Sequence, residues 1–369
     1  MAVVHDWFQG YHGSERVVNA LVEGVLAEAR VVDVLTFHAA RDVIPPSLSS
    51  RIVTESQLAS LPGLRQRGHD RGRWRYLLPY MPLYFRRLDL RGYDLVVASS
   101  HAVAHQVRPP DGTPFACYCH SPMRYAWTPE VDRERVSGAK AVALRAVTPA
   151  LRHLDRAAAQ RPDRYFANSV AVRERISRFY GREAGVVHPP VEVGELASAT
   201  PKESGRFLWV GRLVAYKRPE VVIEAFRETP YRLTMVGVGP LEERLRADLP
   251  PNVEIRGWIP RSELRALYAS ASGFIHVAEE DFGISMVEAL AAGTPVIALA
   301  AGGAKDIVRD GIDGVLVTDA TADRIRAAAE EVSGAQWDRS SLAARAGEFS
   351  REKFEQRMCA GLTSVMDEP

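Results

Sequence analysis

The run "GFIHVAEEDFGISMVEALAAGTPVIALA", residues 273–300, decides the fold. Its two ends, 273–278 and 294–300, are short apolar runs of strand length. Between them comes an acidic loop, then Gly283, then a segment whose helix should start near Ile284 or Ser285. Strand, helix and strand in that order describe one parallel unit, and parallel sheets carry helices on both faces. The run also poses a problem. Glu279, Glu280 and Asp281 suit a solvated loop, but Glu288 stands alone among Met286, Val287, Ala289 and Leu290.

Working outward, "RFLWVGRL" (206–213), "YRLTMVGVGP" (231–240), "VEIRGWI" (253–259) and "DGVLVTD" (313–319) read as further strands. "PEVVIEAFRET" (219–229), "LEERLRADL" (241–249) and "RSELRALYASA" (261–271) have helical spacing, the last with Ser262 near its start as a cap. The front half repeats the pattern. "MAVVHDW" (1–7), "VVDVLTF" (31–37), "DLVVASS" (94–100), "TPFACYCH" (113–120) and "DRYFANS" (163–169) read as strands, and "SERVVNALVEGVLAEA" (14–29) as an amphipathic helix. Two prolines interrupt the pattern in "VVHPPVEVGE" (186–195). The expected architecture is α/β: two Rossmann-like domains, residues 1–190 and 191–349, facing across a cleft. A terminal helix within 350–369 is expected to cross back to the first domain. In such sheets ligands sit beyond the carboxyl ends of the strands.

With 369 residues the chain is too long for one ordinary core, which agrees with two domains. Hydrophobic residues at 46% and charged residues at 25% are the mix of a soluble globular protein. Three cysteines, Cys117, Cys119 and Cys359, make no disulfide framework and suit a reducing compartment. No signal peptide opens the sequence and no apolar run is long enough to span a bilayer. The expectation is a cytoplasmic protein, with peripheral attachment at the inner face of the cell membrane left open. Net charge is +1, divided as +6 over residues 1–195 and −5 over the remainder, so the front half suits anionic partners.

Gly283 follows a strand and a loop and precedes a helix. The first amides of a helix lack internal partners and make an anion site. Glu280 falls in the loop before that helix, and Glu288 about one turn inside it. Carboxylates accept hydrogen bonds from hydroxyls and repel phosphate. Two of them bracketing an anion site suit a ligand with hydroxyl-rich ends and a phosphate core, which is the design of a sugar nucleotide. Cations for the phosphates are supplied by "VGRLVAYKRPE": Arg212 after a strand, and Lys217 five residues later. "AAGGAKDIV" (300–308) adds a Gly302-Gly303 turn that lets backbone approach a ligand.

"GRLVAYK", "VGVGP", "EEDFGISMVEALAAGTPVIA" and "GGAKDIV" together resemble the donor-binding half of retaining glycosyltransferases of family 4, which have the GT-B fold. The resemblance covers most of residues 206–318. It implies that Arg212 and Lys217 bind the donor diphosphate, Glu280 the donor-sugar hydroxyls and Glu288 the ribose. It places Gly237, Phe282, Gly283, Ile284 and Ser285 around the donor too, and it implies no bound metal. In the front half "GYHGSERVV" (10–18) is similar to the family's glycine loop. Gly13, Ser14 and Glu15 match, but His12 replaces the first glycine. "CYCHSPMRYAW" (117–127) resembles a run of bacterial mannosyltransferases of surface polysaccharide synthesis, with His120 as the histidine beside the reacting sugar. The implied catalytic set is His120, Arg212, Lys217 and Glu280, and the implied donor is GDP-mannose.

Cys-x-Cys-His lacks a second ligand pair at zinc spacing, so the cysteines read as one face of a buried strand. "RQRGHDRGRWRYLLPYMPLYFRR" (65–87) holds seven arginines around aromatic and aliphatic residues. That suits an anionic membrane surface and a lipid-linked or glycan acceptor; no nucleic-acid motif accompanies it. No G-x-G-x-x-G, P-loop, H-E-x-x-H or G-x-S-x-G motif is present. Two other readings stay open: a sugar-nucleotide epimerase of the same fold, and a non-catalytic sugar-nucleotide binding module.

Overall fold

A computed structural model describes residues 1–61, 77–128, 139–194, 196 and 202–367, with the side chains of 139–146 excepted. The chain forms two compact units, Met1–Pro190 with Phe354–Pro369, and Val191–Lys353.

The strands of the first unit are β1 (Ala2–His5), β2 (Asp33–Thr36), β3 (Ile52–Thr54), β4 (Val96–Ser100), β5 (Phe115–Cys119), β6 (Arg164–Ala167) and β7 (Ala184–Val186). They build one sheet in the order β3-β2-β1-β4-β5-β6-β7, every pair parallel. Alternate residues face opposite sides, as the period of a strand requires. Val4, Ala98, Cys117 and Cys119 join one core, and Val3, Val97, Ala116 and Tyr118 the other. The last helix, Arg351–Asp367, lays Phe354, Met358, Leu362 and Val365 into the second of these cores. Gly361 on that helix lets Phe166 of β6 pack against its backbone.

The strands of the second unit are β8 (Glu203–Val210), β9 (Arg232–Val236), β10 (Val253–Ile255), β11 (Ala271–His276), β12 (Val296–Leu299) and β13 (Gly314–Val317). Their order is β10-β9-β8-β11-β12-β13, again all parallel. Leu208, Phe274 and Val296 face one core, and Trp209, Ile275 and Ile297 the other.

Some local expectations differ from the structure. The helix expected over 14–29 is Gly13–Ala20, followed by a wider turn at Leu21–Val25. Gly24 there is packed against the Glu355 side chain of the last helix. Ser262 caps nothing; Pro260 precedes the helix Arg261–Ser270, and Ser262 lies inside its first turn. Of the arginine-rich stretch, residues 65–76 lie outside the described residues. In the described part, Met81 and Phe85 are buried, and Leu77, Leu78, Tyr80 and Tyr84 pack against the same core. The Tyr84 hydroxyl donates to the Thr36 carbonyl at 2.8 Å. These apolar groups are committed to the first unit, while Leu83 is left exposed.

The Phe354 ring is 1% exposed and meets Tyr118 edge-on, centroids 5.7 Å apart. Phe354→Ala is therefore expected to lower the unfolding free energy of the first unit by about 3–5 kcal/mol. Urea denaturation of the whole chain reads this. A loss below about 1 kcal/mol would mean the last helix is not part of that core.

Candidate functional site

In each sheet the chain builds outward on one side of its first strand, then returns to build on the other. The point of return, where neighbouring loops diverge, is where such sheets bind ligands. It lies between β8 and β11 in the second unit and between β1 and β4 in the first.

At the β8/β11 point, Lys217 comes from the short turn Ala215–Lys217 after β8, and Glu280 from the loop after β11. Lys217 Nζ lies 2.5 Å from Glu280 Oε1, and both side chains are largely enclosed. The Lys217 stem runs against Gly211, where a side chain would meet it. Arg212 follows Gly211 on the same loop. It is exposed, with its guanidinium 3.4 Å from the Tyr216 hydroxyl, which accepts. Gly237, just past β9, packs against the Gly211 backbone.

The acidic loop is clamped from β12. The Gly303 N–H donates to the Glu280 carbonyl at 2.9 Å. A side chain on Gly302 would strike that same carbonyl, and one on Gly303 would strike Phe282. Gly283 holds φ 103°, a left-handed conformation that opens the helix Ile284–Ala291. On that helix Ile284, Ser285 and Glu288 are half-buried while Met286, Val287, Ala289 and Leu290 are buried. One narrow face is thus left toward the open side, which resolves the problem of Glu288: it stands on that face. The Tyr268 hydroxyl donates to Glu288 Oε2 at 3.2 Å. Phe282 turns its side chain inward. Its ring is buried against Phe349, centroids 5.7 Å apart, and only its backbone remains for a ligand.

His276, the last residue of β11, was not singled out by the sequence reading. Its Nε2 is 3.5 Å from Glu280 Oε2. Burial lowers its pKa to about 4, against the opposing pull of Glu280 and with Lys217 adding to the lowering. A neutral ring therefore stands behind the Lys217–Glu280 pair. Trp258, just past β10, is 80% exposed on the carboxyl-end side of that sheet.

The first unit carries a second constellation at β1/β4. The buried Asp6 carboxylate accepts four backbone amides, from His101 at 2.7 Å, Ala102 at 3.0 Å, Val103 at 2.6 Å and Ala104 at 2.7 Å. Its pKa is lowered. Burial alone would raise it, but His101, His5 and the amides outweigh that. His5, His101 and His120 follow or end β1, β4 and β5, with ring centroids 5.5 to 6.4 Å apart. Burial lowers the pKa of all three, that of His5 to about 3. His120 Nε2 lies 2.8 Å from Ser99 Oγ, and the Asn168 side-chain amide donates to the His120 carbonyl at 2.9 Å. Gly13 starts the first helix, and Glu15 accepts from the His12 amide at 3.1 Å. Cys117 and Cys119 share one buried face of β5. No described helix is long and apolar enough to cross a membrane.

The fall in the His276 pKa has a consequence for stability. The unfolded chain takes up a proton there below its ordinary pKa of 6.5, and the folded chain only near 4. Stability is full above about 6.5 and is lost as the pH falls toward 4, by about 3 kcal/mol. Denaturant unfolding of the second unit at pH 7 and at pH 4.5 should show this loss in the native chain and a smaller one in His276→Gln. Equal losses in both would contradict the assignment.

Comparison with known proteins agrees with this geometry. A family model described as Glycosyltransferase Family 4 matches residues 11–195, and one described as Glycosyl transferases group 1 matches residues 196–353. A GDP-mannose-dependent alpha-mannosyltransferase of Corynebacterium glutamicum is 30% identical over 155 residues, 42% of this chain and 37% of that protein. A D-inositol 3-phosphate glycosyltransferase of Mycobacterium tuberculosis is 29% identical over 181 residues, 42% of this chain and 38% of that protein. The chain thus matches under two fifths of the length of these relatives. Among solved structures, sucrose-phosphate synthase from Thermosynechococcus elongatus superposes with TM-score 0.72 at 19% identity, over 100% of both chains. Anabaena HepE in complex with UDP superposes with TM-score 0.69 at 18% identity, over 99% of this chain and 100% of that one. With one family model covering half of the chain, the other most of the remainder, and two parallel Rossmann-like units, this chain belongs to glycosyltransferase family 4 and has the GT-B fold.

Proposed function

We propose that the chain is a retaining glycosyltransferase that moves mannose from GDP-mannose to a lipid-linked or glycan acceptor. The observation that carries this reading is the Lys217–Glu280 pair at the β8/β11 point, a cation and a carboxylate side by side where a ligand enters the sheet. Lys217 and Arg212 take the donor diphosphate, and no bound metal is needed there. Glu280 accepts hydrogen bonds from the donor sugar, and Glu288, oriented by Tyr268, from the ribose. The exposed Trp258 offers a flat face to the base. The GDP-mannose dependence of the Corynebacterium relative favours GDP-mannose over other donors.

In the transfer, the bond from the anomeric carbon to the diphosphate oxygen breaks and the diphosphate gains charge. Cations placed beforehand on the diphosphate stabilise that state more than the ground state. Departure and attack on one face of the sugar give retention, with a diphosphate oxygen taking the acceptor proton. The ion pair gives Lys217 and Glu280 a defined position in which neither charge is buried alone, and the donor adds to it.

Lys217→Ala and Glu280→Ala are each expected to cut transfer from GDP-mannose by a factor on the order of 10²–10³ without unfolding the chain. Donor turnover with and without a lipid-linked acceptor reads this. Isomerised donor without acceptor would favour an epimerase, and bound but unchanged donor a binding module. Proton NMR of the product should show the anomeric configuration of the donor; the opposite configuration would reject the retaining mechanism. Anionic vesicles should retain the chain, and retain less of it once Arg73, Arg75, Arg86 and Arg87 become Ser. Unchanged flotation would leave the acceptor without a membrane surface.

A further inference from the structure

The three histidines of the first unit are joined through one hydroxyl. His5 Nδ1 is 3.0 Å from the Ser99 carbonyl and 3.2 Å from Ser99 Oγ. His120 Nε2 is 2.8 Å from the same Oγ. A carbonyl only accepts, so His5 Nδ1 carries the ring proton. His5 is fully buried and neutral at neutral pH, so it carries a single ring proton; the Trp7 backbone also bears on the ring, and the Ser99 carbonyl at 3.0 Å is the contact that holds the proton on Nδ1. With a proton on His5 Nδ1, the Ser99 hydroxyl finds no lone pair there. The other nitrogen within reach of its own proton is His120 Nε2, 2.8 Å away. A neutral His120 that accepts at Nε2 carries its proton on Nδ1.

We propose that Ser99, held by His5, is a positioning residue that fixes His120 in its Nδ1–H tautomer, so that His120 offers a ligand a hydrogen-bond donor and not a lone pair. The chemical consequence is specific. A ring so fixed donates to a hydroxyl or carbonyl oxygen of a sugar or acceptor, and it takes no proton from an attacking hydroxyl. That division of labour fits a transfer in which the leaving diphosphate receives the acceptor proton. The tautomer itself stands on the geometry of β1, β4 and β5; its part in sugar transfer rests on the function proposed above.

The test is nitrogen NMR of the full chain labelled with ¹⁵N-histidine, its ten histidines simplified by locating His120 through the signal lost in His120→Gln. At pH 7 the His120 ring should show a protonated Nδ1 and an unprotonated Nε2. Ser99→Ala should lose that pattern for His120, and Ser99→Thr, which keeps the hydroxyl, should restore it. Unchanged signals from His276 in the second unit show that the variants are folded there. Protonated Nε2 in the native chain overturns the proposal, whatever the variants do. So does a His120 pattern unmoved in Ser99→Ala. Donor turnover is a separate readout. A chain that shows the expected tautomer and transfers no sugar supports the tautomer and sinks the transferase.

Discussion

Two parallel strands that send their chains in opposite directions cannot fill the gap between their loops with backbone alone. That constraint acts twice in this protein, and both times polar side chains cross the gap. In the second unit the crossing is an ion pair, Lys217 after β8 and Glu280 after β11. In the first it is Asp6 after β1, receiving four amides from the turn after β4. The two solutions differ in what they leave available. Asp6 is saturated by the backbone and fixes a turn. Lys217 and Glu280 hold each other in a position that a ligand with phosphates and hydroxyls can share, since each partner has capacity beyond the pair.

Around the ion pair the structure is built for closeness. The Gly302-Gly303 turn lies against the Glu280 carbonyl, and Gly211 lies against the Lys217 stem. Larger residues at these places would push apart the two loops that the pair joins. His276 fills the space behind Glu280 as a neutral ring, so the carboxylate is not neutralised from the rear. In the first unit the three histidines are neutral too, which suits hydrogen bonding better than charge stabilisation.

Much of this was legible in the sequence, for physical reasons. Strands buried on both faces, such as "GFIHVA" and "TPVIALA", leave continuous apolar runs that need no partner to be recognised. β3 and β7 escaped because they are three-residue strands at the sheet edges with mixed or partial burial, so they carry no such run. Arg212, Lys217, Glu280 and Glu288 were visible from their places after strands and at a helix start. His5, Asp6, His101 and His276 were not. They sit at the ends of strands already read as core, and Asp6 meets partners some 95 residues away, a relation that no local spacing encodes. The arginine-rich stretch was legible only in part. Its composition suggested a surface, yet Met81, Phe85 and Tyr84 serve the interior.

The ion pair at the β8/β11 point is the claim on which the function depends, and a crystal structure of the chain soaked with GDP tests it most directly. The expected result is a diphosphate at the carboxyl ends of β8 and β11, with Lys217 Nζ within hydrogen-bonding reach of a phosphate oxygen and the ribose near Glu288. A nucleotide bound elsewhere, with Lys217 and Glu280 untouched, would contradict it.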